Sequence, residues 1–491
     1  MRKVVEEQMQ IGEIAVSDIK ISLKSRDEIP KLLIGLQHIH TSINIRQKVF
    51  VVLEKIVPEK IKKNTGRPGL YLWQILVLGT LRLCCNFDYD KLQEIANEHK
   101  TLRQMLGHGL LDDDKRYALQ TLKDNISLLK QEHLDEINQI VVSAGHEEIG
   151  TKAAGELHGQ CDSFVVKTDV HYPTDINLLY NAMVKIISIM AQESANLGIT
   201  GWRKSRASIK KLKREMRRIQ NTKKSTSKKA EKVAERDKLI LELYRDYIQT
   251  CQLFLAKTAE TMVEILKTNP EGIVKLLEVE IFMNHARRQI DQTERRKFNN
   301  EIIPHGEKVF SIFEEHTDWI SKGKAGVSQE LGLRVSILKD QHGFILYHEV
   351  MEKQTDDQVA IQLVREAKSR FPALNSCSFD RGYYSPENKK ELSEILPKVF
   401  MPKKGKLSLQ EKEIEQTEEV MQARRRHSSV ESAINGIEHG GLDRCRDHGI
   451  NGFKRYVALS ILARNIQTLG NIIQQKQLKN QTRHEKRCKV A

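Results

Sequence analysis

Three acidic residues, far apart in the chain, stand where carboxylates do metal chemistry. Asp169 ends the apolar run Phe164-Val165-Val166-Lys167-Thr168. Asp380 ends a second short run, Asn375-Ser376-Cys377-Ser378-Phe379, and leads into Arg381-Gly382-Tyr383-Tyr384. Glu431 closes Arg424-Arg425-Arg426-His427-Ser428-Ser429-Val430 at the start of an apolar-periodic stretch. Clustered carboxylates hold Mg²⁺, which keeps its waters and takes one or two carboxylates per ion, so three acids suffice for two ions. Paired Mg²⁺ ions, roughly 3.5–4 Å apart, catalyse in-line displacement at phosphate.

Each acid also has a plain structural use. Asp169 and Asp380 suit turns at strand ends, and Glu431 suits the first turn of a helix, where the dipole favours an anion. Asp175 competes with Asp169 but reads as a helix cap, and Glu438, two turns beyond Glu431 on the same face, is a rival third ligand. The functional reading therefore rests on the joint arrangement. His171 and His427 lie near proposed acids as accessory groups, with packed or hydrogen-bonded histidine as the default. Lys322, Lys324, Arg381, Arg424, Arg425, Arg426, Lys454 and Arg455 are the cations expected to hold a phosphate backbone near the acids. The chain has no GxxxxGK[ST] loop, no convincing GxGxxG after a strand and no histidine-rich zinc spacing, which leaves nucleotide hydrolysis and zinc chemistry unsupported.

The elements that must position these residues read as an α/β core split by a helical domain. Residues 1 to about 150 are mostly helical. Gly66-Arg67-Pro68-Gly69 is a turn, Leu72 to Cys85 a nearly all-apolar helix, and Asp88 a cap for a helix from Tyr89 to Glu98. Thr101 is the expected cap of a short fourth helix ending near Gly107. Two short helices across a tight break suggest a helix-turn-helix-like DNA-binding unit, equally readable as a plain bundle. Strand character appears at 162–170, then a helix from Ile176. It returns at Leu333–Leu338 and Phe344–His348 around the hairpin signal Asp340-Gln341-His342-Gly343, at the run before Asp380, and at Val399–Met401. Helices are expected at 356–369, from Pro386, over 431–437 and over 453–473. Residues 403–423 read as loop, and the basic tail from Lys476 as frayed.

The chain has 491 residues, which calls for several domains or one with large insertions. Its formal net charge is +15, pointing to a polyanionic partner, with nucleic acid first. Within 201–240, 16 Lys/Arg face 4 Asp/Glu, so +12 of that charge lies in one segment. Ile209, Leu212, Met216 and Ile219 form a seam there. The helix should pack on a partner such as 239–266 and turn Lys210, Lys211, Lys213 and Arg214 outward to phosphates. The seven cysteines form no CxxC pair and read as reduced. Without an apolar leader or a span of about 20 apolar residues, the expectation is a cytoplasmic protein.

Three blocks carry a family resemblance: Thr168-Asp169-Val170-His171-Tyr172-Pro173-Thr174-Asp175, Phe379-Asp380-Arg381-Gly382-Tyr383-Tyr384-Ser385, and Arg426-His427-Ser428-Ser429-Val430-Glu431-Ser432-Ala433-Ile434-Asn435. In this order, with Gly441-Leu442-Asp443-Arg444-Cys445, Gly452-Phe453-Lys454-Arg455-Tyr456 and Gly66-Arg67-Pro68-Gly69, they resemble bacterial insertion-sequence transposases of the DDE class, ISNCY type. Between about 200 and 300 only composition is similar. The resemblance implies an RNase H-like catalytic core, two Mg²⁺ ions with Mn²⁺ as substitute, and cleavage at element ends followed by joining to target DNA. It carries Asp169, Asp380 and Glu431 over as the catalytic and metal-binding triad. It further implies double-stranded DNA as partner, a homodimer or larger assembly, and a prokaryotic, nucleoid-associated location. The Tyr-Arg-Glu-Lys signature of other insertion-sequence families is absent around Glu431. The expected organisation is a helical DNA-binding region over 1–150, a catalytic core from 155–176 and 306–475, a basic helical insertion over 177–305 and a tail over 476–491. A non-catalytic DNA-binding protein, or a nuclease that cuts without joining, are the alternatives.

Overall fold

The computed structural model describes residues 3–490 apart from 7, 10, 58–68, 110–113, 151–154, 228, 270–272 and 322–328, and describes no side chains over 484–490. The turn residues Gly66, Arg67 and Pro68 and the cations Lys322 and Lys324 lie outside the described residues. The fold is mixed α/β and mostly helical. It divides into two units, Met1–Asp169 with Asp318–Ala491, and Val170–Thr317.

The first unit opens with seven helices: α1 (Glu28–Thr41), α2 (Ile43–Glu54), α3 (Leu72–Cys84), α4 (Tyr89–Glu98), α5 (Lys100–Met105), α6 (Leu119–Ile126) and α7 (Gln131–Ile149). Every residue of α3 is buried, and it is too short to span a bilayer. No helix among the described residues is long and apolar enough to cross a membrane. Asp88 caps α4 through Lys91 N–H. The cap of α5 is His99, whose ring nitrogen accepts from Leu102 N–H, and not Thr101, which lies inside the helix.

Strand β1 (Leu157–Thr168) follows, and after the second unit the chain returns as β2 (Asp318–Ser321), β3 (Gln329–Lys339) and β4 (Ile345–Met351). β1 pairs antiparallel with β3, and β3 carries both β2 and β4 on its other edge. The β3–β4 turn closes on the Asp340 carboxylate, which accepts from His342 and Phe344 N–H. After α12 (Asp356–Arg370), β5 (Leu374–Phe379) lies parallel to β1 and α13 (Pro386–Ile395) leads to β6 (Lys398–Phe400) on the outer edge of β5.

Residues 409–427, expected as loop up to 423, form α14 (Leu409–Glu415) and α15 (Glu418–His427). A capping box between Ser408 and Glu411 starts α14, and acids at the start and basic groups at the end of α15 complement its dipole. Neither helix buries a residue, so neither has the apolar period that would announce it. α16 (Ser429–Ile437) and β7 (Arg444–Cys445) precede α17 (Gly449–Val490), which packs along α1, α3 and α7 and runs through the tail expected to fray. The N-terminal helices and the sheet share one apolar core.

The second unit is helical: α8 (Asp175–Asn196), α9 (Ser205–Lys223), α10 (Ala230–Thr268) and α11 (Ile273–Phe298). Leu212, Met216 and Ile219 of α9 are buried against residues of α8 and α10, including Ile186, Tyr247 and Cys251. Lys210, Lys211, Lys213 and Arg214 remain exposed on the opposite face. That division follows from the seam: apolar residues at steps of three and four fix one face inward and leave the charge outside.

Candidate functional site

The partner strands of β1 on one edge do not meet. β5 pairs with β1 up to Cys161↔Phe379, and β7 pairs only at Lys167 and Thr168. Residues 162–166 are therefore open on that edge among the described residues. A cleft of about 780 Å³ lies at this gap, lined by Asp162, Ser163, Phe164, Val165, Ile320, Ser321, Arg334, Asp356, Asp380, His427, Ser428, Glu431, Ile434, Asn435 and Glu438.

Strand register brings the first two acids together. Cys161 lies beside Phe379 in a parallel pair, so the next residues, Asp162 and Asp380, leave the last shared rung side by side. Asp380 then precedes a single 3-10 turn, Arg381–Tyr383, whose Tyr383 N–H donates to the Asp380 carbonyl. Tyr383 anchors that turn: its side chain is buried and its hydroxyl lies 2.6 Å from Ser336 Oγ on β3, while Asn388 Nδ2 donates to its carbonyl. A Cβ at Gly382 would come within 2.8 Å of Asp356 Oδ2 and push that side chain aside.

Glu431 arrives on α16, whose start is pinned to the sheet. Ser429 Oγ donates to Gln160 Oε1 of β1 at 2.7 Å, and Lys339 Nζ of β3 donates to Ser429 Oγ at 2.9 Å and to its carbonyl at 3.2 Å. Val430 and Ile437 bury the inner face of the helix, and Glu431 stays exposed toward the cleft. Burial pushes the Lys339 ammonium below its ordinary range. His427, just before the break between α15 and α16, places Nδ1 3.0 Å from Ser378 Oγ. Burial lowers its pKa, outweighing the pull of Asp380 and Glu431 in the other direction, so near neutral pH the imidazole is uncharged.

Asp162 carries the electrostatic mark of the site. Partial burial is the main reason its pKa is pushed up to about 6, and repulsion from Asp380, Asp356 and Glu431 adds to it, against a hydrogen bond from Ser163 N–H. A carboxylate among carboxylates is relieved by a proton or a cation. No three metal-binding groups among the described residues are gathered at ligand spacing. Mg²⁺ needs only one or two carboxylates for each ion. The donor set is all oxygen, as hard divalent cations prefer, so the residues fit such ions.

The other sequence-derived candidates lie as follows. Asp169 does not join the cleft: it sits past the end of β1, exposed, 3.5 Å from Arg444. It is seven residues beyond Asp162, roughly 23 Å along an extended strand. β1 begins at Leu157, earlier than its apolar run suggests, which puts Asp162 at the gap and Asp169 beyond it. His171 is exposed and belongs to the second unit. Glu438 and His427 line the cleft. Arg381 and Arg424 line a neighbouring apolar cavity of about 360 Å³ that shares Asp380 and His427 with it, and Arg425 and Arg426 are exposed on α15. Lys454 pairs with Glu352. Arg455 turns inward, bonding Asp447 Oδ2 at 2.8 Å and the Ser127 carbonyl at 3.2 Å, in a network whose centre is the buried Arg82–Asp447 pair. Asp162 and Asp356, which line the cleft, and Gln160, Lys339 and Ser429, which pin α16, were not among the residues the sequence singled out. The available signal for Asp162 was an acid flanked by Cys161 and Ser163 in a strand too mixed to look like one.

Residues 290–466 match the model of the family described as the transposase DDE domain. The match supports a DDE-type transposase, a DNA-cleaving and strand-transferring enzyme of a family that typically uses divalent ions. It takes in Asp356, Asp380 and Glu431 and begins after β1, so Asp162 lies outside it. No curated protein and no solved structure matches the chain.

Proposed function

We propose that the chain is an insertion-sequence transposase of the ISNCY type whose catalytic carboxylates are Asp162, Asp380 and Glu431. In this reading the sheet around β1 is an RNase H-like core, the second unit is its basic insertion, and the N-terminal helices contribute to DNA binding. The observation that carries the reading is the convergence of the three acids on one cleft, where burial first and the neighbouring carboxylates after it raise the Asp162 pKa. The family match over 290–466, which takes in Asp380 and Glu431, supports the DDE-type transposase part of the reading independently.

Two divalent ions, Mg²⁺ in the cell with Mn²⁺ as substitute, would polarise the target phosphate and activate water or a DNA 3′-hydroxyl. Asp162, in mid-β1 where its pairing with β5 stops, Asp380 at the end of β5 and Glu431 on α16 would hold them. Gln160, Lys339 and Ser429 fix the helix that carries Glu431. His427 stays neutral and lends a polar wall beside the acids without adding charge. Arg424, Arg425 and Arg426 on α15, with the exposed basic face of α9, would bind the backbone of double-stranded DNA by charge. Two ends must be joined, so the working form is a dimer or larger assembly, acting at the nucleoid in the cytoplasm.

The test is a nicking assay on duplexes from both flanks of the coding segment, followed by strand transfer with pre-cut ends. Metal-dependent nicking and joining are expected. Salt-sensitive binding without nicking would replace this reading with a non-catalytic DNA-binding protein, and nicking without joining would leave a nuclease.

A further inference from the structure

Among the described residues lining the cleft, Arg334 is the one side chain with a fixed positive charge, and Asp162, Asp356, Asp380, Glu431 and Glu438 line the same cleft. It projects from β3 opposite Val165, alongside the open stretch of β1. Its Nη1 lies 3.7 Å from Asp356 Oδ2, and its side chain is 33% exposed against 17% for Asp356. That separation is longer than a hydrogen bond, so the pairing orients the guanidinium without engaging its N–H donors. Asp356 itself is firmly seated. It is the first residue of α12, where the helix dipole favours an anion, and a Cβ at Gly382 would come within 2.8 Å of its Oδ2. Its Oδ1 is out of solvent and has no hydrogen-bond partner.

A hydrogen-bonded Arg–carboxylate pair is short and often bidentate. This one is long, open on the arginine side and set in the wall of an acidic cleft. A DNA phosphate entering that cleft meets repulsion from every carboxylate in it, and a planar guanidinium fork is the protein group best shaped to hold two phosphate oxygens.

We propose that Arg334 grips the phosphate that undergoes reaction and that Asp356 is its positioning residue, keeping the guanidinium at the gap until DNA arrives. This rests on the transposase reading and names a phosphate-binding side chain within it. Asp356 touches neither metal nor phosphate in this scheme; it acts through Arg334.

The test is the reactivity of Arg334 toward phenylglyoxal, read by peptide mass spectrometry on the full chain. The probe is a short duplex from the flanking DNA, with Ca²⁺ replacing Mg²⁺ so that no bond is cut. A charged guanidinium–phosphate hydrogen bond is worth about 1.5–3 kcal/mol, so protection of roughly ten-fold or more is expected at saturating duplex. Arg365, exposed elsewhere on the same unit, serves as the internal reference and should not change. In DNA-free protein, Asp356→Asn should raise the reactivity of Arg334 and leave Arg365 as it was, which a general loosening of the fold would not do. Equal Arg334 reactivity with and without duplex overturns the grip, and an unchanged rate in Asp356→Asn overturns the positioning role. Failure of wild-type nicking in Mg²⁺ would strike the transposase reading alone, since the footprint does not depend on cleavage.

Discussion

Replacing Asp162 by Asn should make the metal-free protein more stable above pH 6. The Asp162 carboxyl rises from its ordinary 3.8 to about 6, through burial first and then repulsion from Asp380, Asp356 and Glu431. A folded-state pKa above the unfolded one means that folding favours the protonated form. The group opposes folding least below pH 4, and its charge penalty grows as pH rises to about 6, then levels off. At 1.36 kcal/mol per pKa unit the full penalty is about 3 kcal/mol. Asn keeps the shape and removes the charge, so Asp162→Asn should recover up to that amount at pH 8, less near pH 5 and almost nothing at pH 4. For a unit of this size that is roughly 3–5 °C in melting temperature, from the usual unfolding entropy per residue. Differential scanning fluorimetry in EDTA across pH 4–8 measures it, with Asp169→Asn as the exposed control expected to change nothing. Adding Ca²⁺ should reverse the order, because wild type gains a bound cation and the variant has lost a ligand. Equal melting of wild type and Asp162→Asn at pH 8 would refute the claim that the Asp162 carboxylate is held at a cost in this cleft, by burial first and by its acidic neighbours after it.

Other substitutions probe the surroundings. Changing Lys210, Lys211, Lys213 and Arg214 together to Ala should weaken DNA binding and flatten its dependence on salt, by roughly 0.9 in the log–log slope for each phosphate no longer neutralised. An unchanged slope would mean that this face of α9 is merely solvated. Asp447→Asn strands the buried Arg82 guanidinium, which is 1% exposed, and also releases Arg455. Leaving a buried charge unpaired should cost about 3–5 kcal/mol, measured as a lowered unfolding midpoint, and a loss under about 1 kcal/mol would count against the network.

The sequence announced Asp380 and Glu431 because each sits at a sharp change of pattern. One ends a short strand before Arg381-Gly382, and the other opens an apolar-periodic helix. Asp162 had no such boundary. Its strand begins with Leu157-His158-Gly159-Gln160, which lacks alternation because both faces of β1 are buried there and Gly159 must admit Cys377 and Leu338. Only the pairing of Cys161 with Phe379, two residues far apart in the chain, reveals that Asp162 and Asp380 are neighbours. Asp169 drew attention because the β-branched run stops just before it, yet the stop marks the far end of the strand. The basic seam of α9 was legible because helical periodicity is local. α14 and α15 were not, since they are held by caps and by pairs such as Lys403–Glu411 and Arg424–Glu415 and not by an apolar face. Arg455 looked like a DNA-binding cation in sequence, but the buried partner that turns it inward, Asp447, is recognisable only in three dimensions.

The most direct measurement compares Asp162→Asn with Asp169→Asn in metal-dependent nicking of the flanking DNA, each alongside wild type, with binding followed in Ca²⁺. The account predicts that Asp162→Asn binds DNA and does not cut, while Asp169→Asn cuts like wild type. Cutting by Asp162→Asn at the wild-type rate, or loss of cutting in Asp169→Asn with binding intact, would contradict it.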